Sequence, residues 1–212
     1  MAGSKRFWDR IAKRYAKKSV GDEAAYQRKL ATTREYLRPD MEVLEVGCGT
    51  GSTAIAHAPF VRHIRATDIS DEMIGIAKGK AAAANVQNLT FEALAVEELD
   101  TASESVDAVL ALSLLHLVED RAAVIDRIHD MLRQGGIFVS NTVCLGDGMQ
   151  WFRFVGPIGR RLGVLPLVRI FARNDLVNSL KSAGFEIEHE WRPNKTVVFI
   201  IARKSRGHEN NQ

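Results

Sequence analysis

The sequence predicts an α/β fold: a mostly parallel sheet with helices on both faces, finished by an antiparallel hairpin. Three observations carry that expectation. From Met41 onward, short apolar runs of strand character alternate with helical stretches, the pattern of a parallel sheet covered on both sides. The first such run passes into a loop with glycine at alternate positions, Gly47-Cys48-Gly49-Thr50-Gly51, and a helix opens behind it. The last two runs are separated by a turn containing Pro193 and Asn194, far shorter than the dozen or so residues of a parallel crossover, so they must pair antiparallel.

Taken in order, the elements begin with two helices over residues 4–38. Phe7, Trp8, Ile11 and Tyr15 recur on one face of the first, and basic residues cover the rest. The second runs from Asp22 to Leu37 and stops ahead of Pro39. Strands follow at Glu42–Val46, Arg62–Thr67, Leu89–Leu94, Val106–Leu112 and Ile137–Val143. Helices lie between them, one capped by Ser70 and one ended by Gly135 and Gly136. Residues 145–174 break the rhythm with an aromatic and basic stretch that includes Trp151, Phe152, Phe154, Arg160, Arg161, Arg169 and Phe171. A helix from Asp175 to Ala183 leads to a strand at Phe185–Trp191. Its alternation puts Phe185, Ile187, His189 and Trp191 on one face. The final run, Thr196–Ala202, is almost unbroken in its apolar character and so belongs inside the sheet rather than at its edge.

Residues 1–204 read as one domain with a polar tail at 205–212. With 46% hydrophobic and 26% charged residues the composition is that of a globular protein. The two cysteines, Cys48 and Cys144, provide no disulfide framework and stand in no metal-ligand spacing, so no metal is expected. Free thiols and the lack of a signal-like apolar core in the basic first 18 residues point to the cytoplasm. A net charge of +3 is too small to indicate a nucleic-acid partner.

The chemistry is concentrated around the glycine loop. Glycines permit a tight turn and let a ligand approach the backbone. Dinucleotide sites favour G-x-G-x-x-G, where backbone amides hold a pyrophosphate. Here the spacing is G-x-G-x-G, and Glu45 precedes it. A carboxylate there disfavours a pyrophosphate and suits an ammonium group, so the loop fits a ligand bearing an amino acid. Asp68, at the end of the second strand, can accept hydrogen bonds from both hydroxyls of a ribose. Ile69 and Met73 would then pack near the base.

LEVGCGTG, Asp68 within ATDIS, SVDAVLALSLLHLVED and MLRQGGIFVS, in that order, resemble motifs of class I S-adenosylmethionine-dependent methyltransferases. The likeness is greatest to the small-molecule group of the ubiquinone and menaquinone methyltransferase type, whose N-terminal helix FWDRIAKRY resembles and whose last hairpin GFEIE and FIIARK resemble. The resemblance implies a Rossmann-like methyltransferase fold with a seven-stranded, mostly parallel sheet. It implies S-adenosyl-L-methionine as cofactor, with Gly47, Cys48, Gly49 and Gly51 along its methionine portion, Glu45 nearby and Asp68 on its ribose. Ser113, between Leu112 and Leu114, would flank the methyl-donor end. Where the family often has an aspartate contacting adenine and then a small residue, this chain has Ala95 and Val96, so contact there falls to the backbone or to Glu97.

The expected reaction is methyl transfer to a small apolar or aromatic acceptor by in-line displacement, in which positioning supplies most of the catalysis. His116 follows the fourth strand and is the candidate base, against the alternative that it packs a loop. Trp8, Tyr15 and Trp151 are candidates for the substrate side, and the N-terminal helices with residues 145–174 form the expected substrate lid. The arginines of that insertion leave peripheral contact with lipid headgroups open. Competing readings are an RNA or phospholipid methyltransferase and a non-catalytic cofactor-binding protein; against RNA, the chain has no NPPY-like tetrapeptide.

Overall fold

The computed structural model describes residues 2–18, 21–149, 151–152, 156, 159, 161 and 163–205. Phe154, Arg160 and the tail from residue 206 lie outside them.

Two helices come first, α1 (Ala2–Ala16) and α2 (Glu23–Arg34). Asp22 caps α2, its carboxylate accepting from Ala25 N at 2.9 Å. The helix ends three residues earlier than expected because its last turn tightens: Tyr36 N and Leu37 N donate to carbonyls three residues back. The alternating part follows as β1 (Glu42–Val46), α3 (Ser52–His57), β2 (His63–Asp68), α4 (Asp71–Ala83), β3 (Leu89–Ala93), β4 (Val106–Leu112), α5 (Arg121–Met131) and β5 (Leu132–Val143). It closes with α6 (Arg173–Ser182), β6 (Phe185–Trp191) and β7 (Val197–Lys204).

The seven strands form one sheet in the order β3-β2-β1-β4-β5-β7-β6. β1 to β5 pair in parallel, and β7 is antiparallel to both β5 and β6. The final strand, apolar from Val197 to Ala202, is therefore interior, as its composition predicts. Its residues divide between two cores: Val198, Ile200 and Ala202 pack with α5 and α6 on one face, and Phe199 and Ile201 with α3 and α4 on the other.

Two expectations are corrected. Gly135 and Gly136 do not end α5, which stops at Met131. They lie within β5, where the pairing jumps from Val106–Leu132 to Ala108–Ile137. A Cβ on Gly136 would meet backbone oxygens of Arg133 and Asp107 at 2.9 and 3.0 Å, so the irregular strand requires a residue without one. In β6 the four apolar residues do not share a face. The register shifts between Ile187 and His189; Phe185 and Ile187 pack into the α5/α6 core, whereas Trp191 packs into the other. One inserted residue reverses every side chain that follows it.

Candidate functional site

The order of the sheet reverses at β1, which has β2 on one side and β4 on the other. In open α/β sheets the crevice outside the strand ends at such a point is where ligands bind. The loop leaving β1 and the residue leaving β4 form its two sides. Gly47, Gly49 and Gly51 all have positive φ, at 68°, 54° and 73°. At Gly49 a Cβ would meet nothing within 4 Å, so open space lies over the middle of the loop. Gly51 instead faces inward, where a Cβ would come within 2.8 Å of Ala77 and 2.9 Å of Phe91.

Asp68 is tied into this loop. One carboxylate oxygen accepts from Gly49 N and the other from Ser70 N, both at 2.9 Å. An ionised carboxylate offers about four lone-pair sites, so acceptor capacity remains for two hydroxyls. Burial raises its pKa, and the two backbone donors oppose that shift. Glu45 is 2% exposed and its Oε2 has no hydrogen-bond partner. Burial, with the Asp68 charge second, pushes its carboxyl up to about 8. A buried acid without a partner lacks the cation that would stabilise it as the carboxylate.

Two cavities meet at the loop, sharing Tyr15, Gly47, Gly49, Leu112 and Ser113. The narrower, about 120 Å³, runs past Asp68 between Ile69 and Met73 on one side and Ala95 and Val96 on the other. The wider, about 520 Å³, reaches Glu45, Cys48 and His57 and, through α2, Tyr26 and Lys29. Helix α1 covers the first. Asp9 accepts from Ser70 Oγ at 2.6 Å, and Lys5 bridges Asp9 and Asp71 at 2.7 and 2.6 Å, which fastens α1 to the start of α4. Trp8 and Tyr15 thereby line the narrow cavity, their rings edge to face at 6.1 Å. The insertion contributes Leu167 to the same wall.

The cleft thus brings together most of the residues singled out from sequence. It does not include three of them: Gly51, which turns into the core against Ala77 and Phe91, His116 and Trp151. His116 is buried and lines neither cavity; burial holds its imidazole down to about 4, and its carbonyl accepts from Arg169 N at 2.8 Å. It packs the insertion against the end of β4. Trp151 is 57% exposed, with its ring against Phe152. Cys48 is buried and its thiol pKa is raised by burial and by two nearby carboxylates.

Sequence reasoning missed Lys29, Asn141 and Asp9. Lys29 Nζ donates to Asn141 Oδ1 at 3.3 Å, and Asn141 Nδ2 to Ser113 Oγ at 3.3 Å. Ser113 has φ +64°, unusual for a residue with a Cβ, and its N–H donates to the Asn141 carbonyl at 2.7 Å. An asparagine in the polar Ser140-Asn141-Thr142 that ends an otherwise apolar run, Ile137 to Val139, was a visible signal. Nothing in the composition of α2 distinguished Lys29 from its other basic residues. Among the described residues no group of three His, Cys, Asp or Glu side chains is placed to hold a metal, and no helix is long and apolar enough to cross a membrane.

The residues fit S-adenosylmethionine: the unpartnered Glu45 suits its ammonium, the open face of Gly49 its methionine chain, and Asp68 its ribose. Residues 43–136 match the family described as a methyltransferase domain. Over 102 residues the chain is 28% identical to an uncharacterised methyltransferase, YcgJ, of Bacillus subtilis (strain 168), covering 48% of this chain and 40% of that protein. It spans about two-fifths of the length of the curated relatives it matches first. The crystal structure of the B. subtilis YcgJ protein superposes with a TM-score of 0.72 at 17% identity, covering 85% of this chain and all of that one. Geranyl diphosphate C-methyltransferase from Streptomyces coelicolor A3(2), solved with Mg2+, geranyl diphosphate and S-adenosyl-L-homocysteine, gives 0.71 at 16%, covering 86% and 79%. Residues 43–136 thus match a methyltransferase domain, and the chain has the fold of these solved methyltransferases.

Proposed function

We propose that the protein transfers the methyl group of S-adenosylmethionine to a small acceptor, held in the wider cavity beside Ser113. The observation that carries this reading is the pair of carboxylates around the glycine loop. Asp68 is preset by two backbone donors with acceptor sites to spare, and Glu45 is buried with its Oε2 unpartnered. When bound, the cofactor supplies a methyl group already activated on a sulfonium. The chain's task is then to bind, align and keep water out. Asp68 fixes the ribose, Ile69 and Met73 face the adenine, and Glu45 answers the ammonium. The backbone at Ala95 and Val96 takes the place of the aspartate found in many relatives of the fold. Trp8 and Tyr15 on α1, with Leu167 of the insertion, exclude solvent from the narrow cavity. His116 is off the cleft, so the reading assigns it no proton transfer.

Two measurements test this. Calorimetric titration with S-adenosylmethionine should show binding, and Asp68→Ala should weaken it at least about tenfold with the fold retained. A turnover screen for S-adenosylhomocysteine release across phenol, carboxylate, amine and thiol acceptors should find a substrate. Unchanged affinity in Asp68→Ala would displace the ribose from Asp68, and cofactor binding without turnover of any acceptor would favour a non-catalytic protein.

A further inference from the structure

The wider cavity is lined by one carboxylate, Glu45, and three lysines, Lys18, Lys29 and Lys80, of which Lys80 is held by Thr50 and Ser52. Glu45 is buried at the foot of the glycine loop, with Asp68 as its charged neighbour. Lys29 is half-buried on α2, whose cap Asp22 is its charged neighbour. None of the ion pairs among the described residues involves Lys29. Among the described residues its hydrogen bond is to Asn141 Oδ1, which aims the ammonium at the ends of β4 and β5. There Asn141 also holds Ser113, the residue shared by both cavities.

This placement distinguishes two uses for the lysine. The ammonium and carboxylate of an amino acid sit on the same carbon, so a cation meant for the cofactor's carboxylate would stand close to Glu45 and share its field. Lys29 is tied instead through Asn141 to Ser113 at the ends of β5 and β4, where an acceptor would have to lie. An ammonium withdrawn from water without a carboxylate beside it favours an anion in the space it faces. The asparagine adds direction, because both ends of its amide are occupied and its orientation is fixed.

We infer that Lys29, oriented by Asn141, binds the methyl acceptor, and that the acceptor is a small molecule carrying an anionic oxygen such as a carboxylate or phenolate. This rests on the reading of the site as that of a methyltransferase. Neither residue belongs to the motifs around the glycine loop, so they set acceptor specificity separately from cofactor affinity.

The experiment uses the full chain loaded with S-adenosylhomocysteine and titrated with benzoate and with benzamide, which differ in charge but hardly in shape. Wild type should prefer benzoate by at least about tenfold. Lys29→Met should abolish the preference, Lys29→Arg should keep part of it, and Asn141→Ala should reduce it. All three variants should bind S-adenosylhomocysteine within about twofold of wild type, with unchanged circular dichroism. A tenfold loss of S-adenosylhomocysteine affinity in Lys29→Met with the benzoate preference intact would move Lys29 to the cofactor and overturn the inference. Equal binding of acid and amide by wild type, or binding of neither, would overturn it as well. Failure of wild type to bind S-adenosylhomocysteine would instead sink the methyltransferase reading beneath it.

Discussion

At the scale of single residues, Glu45 has the largest consequence. Its carboxyl is raised from 4.5 to about 8 by burial and by Asp68. The folded form therefore holds a proton that the unfolded chain releases at lower pH. The stability from this group is full below pH 4.5 and is lost as pH rises through about 8. The melting temperature of the cofactor-free protein should fall over that window, and Glu45→Gln should flatten the fall. Saturating S-adenosylmethionine should flatten it too, because the ammonium stabilises the carboxylate. A wild-type profile parallel to that of Glu45→Gln would exclude this role. Glu45 and Asp68 were legible in the sequence because a buried strand followed by glycines admits few explanations for a carboxylate. His116 was misleading for the same positional reason: it follows β4, but burial keeps its imidazole neutral and away from both cavities.

At the scale of elements, α1 works through its attachment. The Asp9 carboxylate sits at the start of α4, accepting from Ser70 and Glu72 N, so the helix dipole favours it there. Arg10 donates to the carbonyl of Gly163, which ties α1 to the insertion as well. Asp9→Ala should cost about 1–2 kcal/mol of docking, loosen α1 and weaken S-adenosylmethionine binding severalfold. Hydrogen exchange across residues 2–16 with and without ligand would show whether protection falls. Unchanged exchange and affinity would mean α1 is held by its apolar face alone. The sequence displayed that face through Phe7, Trp8, Ile11 and Tyr15, but not what it covers, since an amphipathic stripe is the same whether its partner is a core or a cleft.

At the scale of the whole molecule, the sheet fixes the site and β7 locks the sheet. Ile200 is fully buried between β5 and β6. Ile200→Ala should cost about 2–5 kcal/mol in denaturant unfolding. Val164→Ala, at a residue 63% exposed, should stay within about 0.5 kcal/mol. A small effect at Ile200 would mean that the hairpin is not part of the cooperative core.

The sequence by itself determined the alternation of strands and helices, the antiparallel ending, the interior place of the last strand, the glycine loop and its two carboxylates. These follow from local rules: hydrophobic period, turn length and the chemistry of residues adjacent in the chain. Only the tertiary structure decided which core each side of β6 faces, because one bulged residue reverses the alternation. Tertiary structure alone also brought Lys29 of α2 to Asn141 of β5, 112 positions away, and Asp9 of α1 to Ser70, 61 away. Such contacts depend on how whole elements pack, and no local pattern records the partner.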